Sequence, residues 1–194
     1  MDGTPSGDSA WTDADTEALF ATIGRYLLTF QWIEGKLDQI LLLGWGEDNR
    51  TASQARLAGM RNFEKINAVK ELVLNSPDFA RVHTRPDWCT EFELLIEHLH
   101  NERSRRNTLI HSQYLFRFTE IGLPPIMSHR QRLDGEPKFI RQILDKDAQQ
   151  KLLNDLGKLV IDINFTLVQL IHDYEAPFVP NSPASRQRPL TEPL

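Results

Sequence analysis

Between Pro86 and Ser112 the apolar residues Trp88, Phe92, Leu95, Leu99 and Leu109 recur at helical spacings, which marks one buried face of a long helix. Arg106 falls on that face, seven residues after Leu99. A guanidinium keeps its charge in any protein environment, so burying it costs free energy unless a carboxylate, a phosphate or trapped water receives it. A chain with this run must therefore pack as helices and must also supply something to face Arg106.

The rest of the chain reads the same way. Thr12 with Asp15 has the spacing of a capping box and opens a first helix that runs to about Leu43, with Gly44 and Gly46 as stop signals. Its stripe is Phe20, Ile23, Leu27, Phe30, Leu37 and Leu41, with Glu34 in the gap between Phe30 and Leu37. A carboxylate there is the natural complement of Arg106, so Glu34, or its neighbour Gln31, is expected near it; the plain alternative leaves Glu34 at the bundle edge, leaning into water. Residues 47 to 56 form a polar connection, and a second helix spans about Leu57 to Leu74 with Met60, Phe63, Ile66, Val69 and Val73 inward. Asn75-Ser76-Pro77-Asp78 ends it, and Pro86-Asp87 starts the third.

After His111 the period changes to two. Tyr114, Phe116 and Phe118 alternate with Leu115, Arg117 and Thr119, and Asp134-Gly135 marks a turn before Lys138 to Ile143. Asp145 caps a fourth helix with the stripe Leu152, Leu156, Val160, Ile163, Leu167, Leu170 and Tyr174. The expected architecture is all-α, four long helices with a short β-hairpin or extended insertion between the third and fourth. Residues 1–10 read as a disordered tail, 11–175 as the domain, and 176–194 as a Pro-rich tail.

Composition narrows the function. The single cysteine, Cys89, rules out an intramolecular disulfide and a cysteine-rich zinc site and fits a reducing compartment. The polar start and the lack of a long apolar run point to a cytoplasmic chain without a membrane span. The net charge of -5 argues against nonspecific coating of nucleic acid. Its distribution is uneven: Asn101 to Arg141 holds eight Lys/Arg against four Asp/Glu, a local +4 that leaves -9 on the remainder. A basic island on an acidic body suits a phosphate site, and equally a solvated hairpin. His98 and His100 point about 200° apart on a helix and make a poor metal pair. No Gly-rich phosphate loop, nucleophile motif or zinc spacing is present.

The end of the third helix carries the chemistry. Asn107 and His111, four apart, lie on one face, while Arg106 and His111 flank a sector of about 140°. Arg106-Asn107-x-x-x-His111 resembles the R-x(4–6)-H signature of HEPN domains, in which a polar residue typically follows the arginine. The resemblance covers roughly residues 12 to 174 in helix order and rests for its specificity on this short motif. It implies a helical bundle that dimerises, and a metal-independent endoribonuclease of a toxin or antiphage defence system, needing no cofactor. RNA, a second copy of the chain and an antitoxin or defence-complex protein are the implied partners.

In that reading His111 is the general acid or base and Arg106 clamps the phosphate oxygens, while Asn107 orients the histidine or holds a phosphate oxygen. Arg106 and His111 of two protomers line one composite cleft. Glu34, Arg103, Ser112, Tyr114, Arg130 and Arg132 are the supporting candidates. HEPN toxins neutralised by a nucleotidyltransferase antitoxin carry a tyrosine two residues after the histidine; here Tyr114 lies three after, which speaks against that form of control. Three other readings stand beside this one. Arg106 and His111 are also what a helix C-terminus favours as capping groups. The chain could be a HEPN-like bundle that binds or scaffolds without catalysis. It could equally be an unrelated bundle in which Arg106 is a structural ion-pair partner.

Overall fold

The computed structural model describes residues 10–46, 50–133 and 136–174, except the side chains of Arg132, Leu133 and Pro137. The expected tails, apart from Ala10 and the end of the domain at Tyr174, and the Asp134-Gly135 turn lie outside the described residues. Five α-helices form the described body: α1 (Asp13–Trp45), α2 (Arg50–Gly59), α3 (Asn62–Asn75), α4 (Trp88–His111) and α5 (Lys146–Tyr174). Three antiparallel strands, β1 (Gln113–Leu115), β2 (Ile126–Leu133) and β3 (Glu136–Ile143), lie in that order between α4 and α5. No helix among the described residues is long and apolar enough to cross a membrane.

The helix starts follow the sequence. Thr12 and Asp15 close a capping box, with Thr12 N–H donating to Asp15 Oδ2 at 2.9 Å. Asp145 Oδ1 accepts from Ala148 N–H at 2.8 Å, as an N-cap should. Asp15 also pairs with Lys146 Nζ at 2.8 Å, so α1 and α5 begin at the same end of the bundle. α1 packs most extensively on α5 and next on α3, and α4 closes the core against α3 and α5.

Several elements differ from expectation. α1 buries Leu19, Tyr26, Phe30, Ile33, Leu37, Ile40 and Leu41, a stripe rotated from the expected one. Phe20 is 49% exposed and only leans on the Phe116 ring, centroids 5.5 Å apart. α1 has apolar side chains on both flanks of its stripe, so periodicity alone leaves the rotation open by about one residue. The expected second helix is two helices, because Gly59 ends α2 and Arg61 is extended at φ -76, ψ 155. The polar connection at 47 to 56 is largely helical, since α2 begins at Arg50. α4 starts at Trp88, two residues after Pro86, with Asp87 in the left-handed region at φ 59. The expected strand at 114 to 119 ends at Leu115, and Phe116–Ile121 winds into a 3-10 helix instead. Gly122, at φ 77, ends that turn, where an added Cβ would stand 2.9 Å from Ala10 Cβ.

The most consequential difference is on α4. The charged residue sealed into its core face is Glu102, 5% exposed, while Arg106 is half-buried on the flank. Glu102 Oε1 accepts from the buried Tyr26 hydroxyl at 2.5 Å, and Oε2 lies 3.4 Å from Arg105 NH1. Arg105 continues to Asp155 Oδ2 at 3.1 Å on α5. Burial, and then the Glu102 carboxylate, push the Tyr26 hydroxyl far above its ordinary range, so it remains a donor.

Two outcomes follow. Tyr26→Phe leaves the buried Glu102 Oε1 without its donor, with only Arg105 still facing Oε2, and should cost about 1.5 to 3 kcal/mol in denaturant unfolding. Glu102→Gln, which keeps an acceptor for that hydroxyl, should cost less. Lys146 and Thr12 hold the Asp15 carboxyl at about 2, below its ordinary 3.8. A depressed carboxyl contributes stability above its unfolded value and loses it as pH falls through the folded one. Thermal unfolding should therefore show Asp15→Asn less stable than wild type at pH 7, the gap closing as pH falls towards 2.

Candidate functional site

With Glu102 fixed in the core, helix geometry sends its neighbours to opposite sides of α4. Arg103 and Arg106 lie about 100° and 40° to one side, and Arg105 about 60° to the other. On the first side α1, the start of α3 and α4 enclose an open pocket of about 450 Å3, lined by Phe30, Glu34, Arg61, Asn62, Phe63, Glu64, Arg103, Arg106 and Asn107.

The charges around this pocket are held apart. Arg106 NH1 donates to Asn107 Oδ1 at 3.1 Å, and its guanidinium stands 6.0 Å from the Phe30 ring centre. The Arg103 guanidinium lies 5.2 Å from the Phe63 ring centre, and its Nε is buried without an acceptor. Glu34 Oε1 accepts from Asn62 Nδ2 at 2.8 Å. Among the described residues no carboxylate forms an ion pair with Arg103 or Arg106, and no cation with Glu34. Glu34 thus shares a pocket with Arg106 without being its salt-bridge partner, and Gln31 is exposed.

The start of α3 adds to the positive potential. Arg61 occupies the N-cap position, and an arginine has no acceptor with which to cap. Glu64 Oε2 accepts from Arg61 N–H at 2.6 Å, but no side chain receives the first amides of the helix. The uncapped helix start and the guanidinium groups of Arg103 and Arg106 favour negative charge here, and the carboxylates of Glu34 and Glu64 on the same lining oppose it. Beyond it, Phe63 also meets the His100 ring, centroids 5.3 Å apart. Burial, with Arg103 and Lys70 nearby, pushes His100 below its ordinary range, which keeps the imidazole neutral at pH 7.

Of the residues singled out from the sequence, Glu34, Arg103, Arg106 and Asn107 meet at this pocket. The others do not line it. His111 is the last residue of α4 and exposed. Ser112 Oγ donates to Thr108 O at 2.5 Å, closing the helix end. Tyr114 donates to Leu109 O at 2.9 Å, and burial pushes its hydroxyl up to about 12. Arg130 is exposed on β2, opposite Phe139; Arg132 lies on β2, with its side chain outside the described residues. The basic island therefore splits: Arg105 turns to Asp155 and lines a separate pocket with His129 and Lys151.

Asn62, Phe63 and Arg61 were not picked out as site residues. Phe63 fits the apolar period and is expected inward, but it is 49% exposed in the first turn of α3 and lines the pocket. No protein-family profile, no curated protein sequence and no solved structure matches this chain.

Because Arg106 anchors no carboxylate, Arg106→Ala should shift unfolding free energy by no more than about 1 kcal/mol, the scale of an exposed cation–π contact. A structural ion-pair role would require a loss of roughly 3 to 5 kcal/mol. Urea unfolding followed by circular dichroism separates the two.

Proposed function

We propose that the chain is a metal-independent endoribonuclease of HEPN type, a toxin or antiphage defence component, built as a HEPN-like bundle. The observation that carries this reading is the Arg106 guanidinium, steadied by Asn107 and facing an open pocket in which neither lining carboxylate, Glu34 or Glu64, forms an ion pair with it. A phosphodiester supplies the anionic partner instead. In the proposed reaction the ribose 2′-oxygen attacks the adjacent phosphorus and its proton passes to the His111 imidazole. The bond from phosphorus to the 5′-oxygen breaks, and that oxygen takes up a proton as it leaves. The products are a 2′,3′-cyclic phosphate and a 5′-hydroxyl. Arg106 stabilises the charge that builds on the phosphoryl oxygens.

His111 lies on the exposed end of α4, outside the pocket that Arg106 lines. The reaction therefore needs a second protomer to bring an imidazole to each arginine, in keeping with the composite cleft that the resemblance implies. The same observation favours a second reading, a HEPN-like module that binds RNA or scaffolds a partner without cutting.

Incubation of a mixed RNA pool in excess EDTA with wild type, Arg106→Ala and His111→Ala decides between them. A nuclease yields 2′,3′-cyclic ends with wild type, and His111→Ala lowers the rate by about a hundredfold or more while remaining folded. Folded, dimeric wild type that leaves the pool intact but retains it on a filter supports the binding module.

A further inference from the structure

The pocket that holds Arg106 is lined by the carboxylates of Glu34 and Glu64 as well as by Arg61, Arg103 and Arg106, and it leaves polar atoms of opposite kind without partners. On the wall formed by α3 and α1, Asn62 Oδ1 is buried without a donor, and Glu34 offers only acceptors, one of them already steadied by Asn62 Nδ2. On the α4 wall, Arg103 Nε is buried without an acceptor, and Arg106 has only a neutral amide. Groups of opposite charge around one cavity ordinarily collapse into ion pairs; here aromatic rings and an asparagine keep them apart. The ligand that repairs both walls carries an anion at one end and side-by-side N–H donors at the other.

We infer that this pocket takes a guanosine of single-stranded RNA, with Glu34 reading the base and Arg103 and Arg106 holding phosphates of the strand. The assignment rests on the RNA-ligand reading above and narrows it to one base. A carboxylate accepts and never donates. Guanine alone among the four bases presents two adjacent N–H donors, N1–H and the exocyclic amine, on its Watson–Crick edge. Adenine and cytosine set one amine beside an acceptor, and uracil sets one N–H between two carbonyls. Single-stranded bases expose that edge, and they stack on aromatic rings and guanidinium planes. Phe63, 49% exposed beneath the Arg103 guanidinium, offers such a surface. A cavity of about 450 Å3 is of the size that encloses one nucleotide.

The test is fluorescence anisotropy with full-length His111→Ala protein, so that binding is read without cleavage, on labelled oligoadenylate carrying one internal guanosine, cytidine or uridine. The guanosine strand should bind at least about tenfold tighter than the other two and than plain oligoadenylate. Added Glu34→Gln, which keeps an acceptor for Asn62, should bring all four strands within about twofold of one another, with circular dichroism and Tm unchanged. A second arm needs no change at Glu34: inosine, which lacks the exocyclic amine, should lose most of the guanosine preference. Equal affinity for the four strands overturns the assignment, as does a preference that survives Glu34→Gln in a folded protein. The two readings fail separately. Guanosine-selective binding with no cutting by wild type removes the nuclease and leaves the guanosine site. Cutting without base preference leaves the nuclease and removes the guanosine site.

Discussion

The hydrogen bond from the Tyr26 hydroxyl to the Glu102 carboxylate ties the rotation of α4 to α1, and the α4 side of the Arg106 pocket depends on that rotation. A buried carboxylate needs a donor, and α1 provides one at a single position. Once Glu102 is locked there, every neighbouring side chain on α4 has its direction fixed by the helix pitch. Arg105 goes to Asp155 on α5, where it is neutralised. Arg103 and Arg106 go to the opposite side, where no carboxylate of the described residues forms an ion pair with them. One polar contact in the core thus sorts three arginines into structural and unpaired sets.

The second constraint is the break between α2 and α3. Met60 and Arg61 separate α2 from α3, so Asn62 and Phe63 stand in the first turn of a new helix. The extended backbone at Arg61 starts that helix at the pocket wall, places Asn62 against Glu34, and leaves Phe63 under Arg103. Opposite charges persist without pairing because each is already engaged locally. Glu34 is engaged by an amide and Arg103 by a ring, so closing an ion pair would give up these contacts.

Much of the scaffold was legible before folding was considered. The caps at Thr12 and Asp145, the end of α4 near His111 and the sequence of long helices all follow from local patterns, because capping and period depend on residues within one turn of each other. The expected meeting of Glu34 with the motif region rested on two interrupted stripes, and the structure does place Glu34, Arg106 and Asn107 around one cavity. Asn62 and Phe63 were invisible as site residues, since an asparagine and a phenylalanine at a helix start carry no chemistry of their own. The strand expected after His111 was half wrong for a related reason. Alternation of aromatic residues over Tyr114 to Phe118 is compatible with a strand or a tight helix, and packing against Phe20 goes with the latter.

By itself the sequence determined the class of fold, the position of most helix ends and the short list of cations and carboxylates from which a site is built. These depend on short-range hydrogen bonding and on the apolar period, both written in neighbouring residues. Only the tertiary structure decided which charge is buried and which is left free. Arg106 and Glu102 sit four residues apart on one helix, and the sequence pattern puts the arginine on the core face. The fold chooses Glu102, because burying a charge is tolerable only where another element brings it a partner, and Tyr26 on α1 is that partner. Whether a distant side chain arrives at a given atom is a property of packing, and no local pattern encodes it.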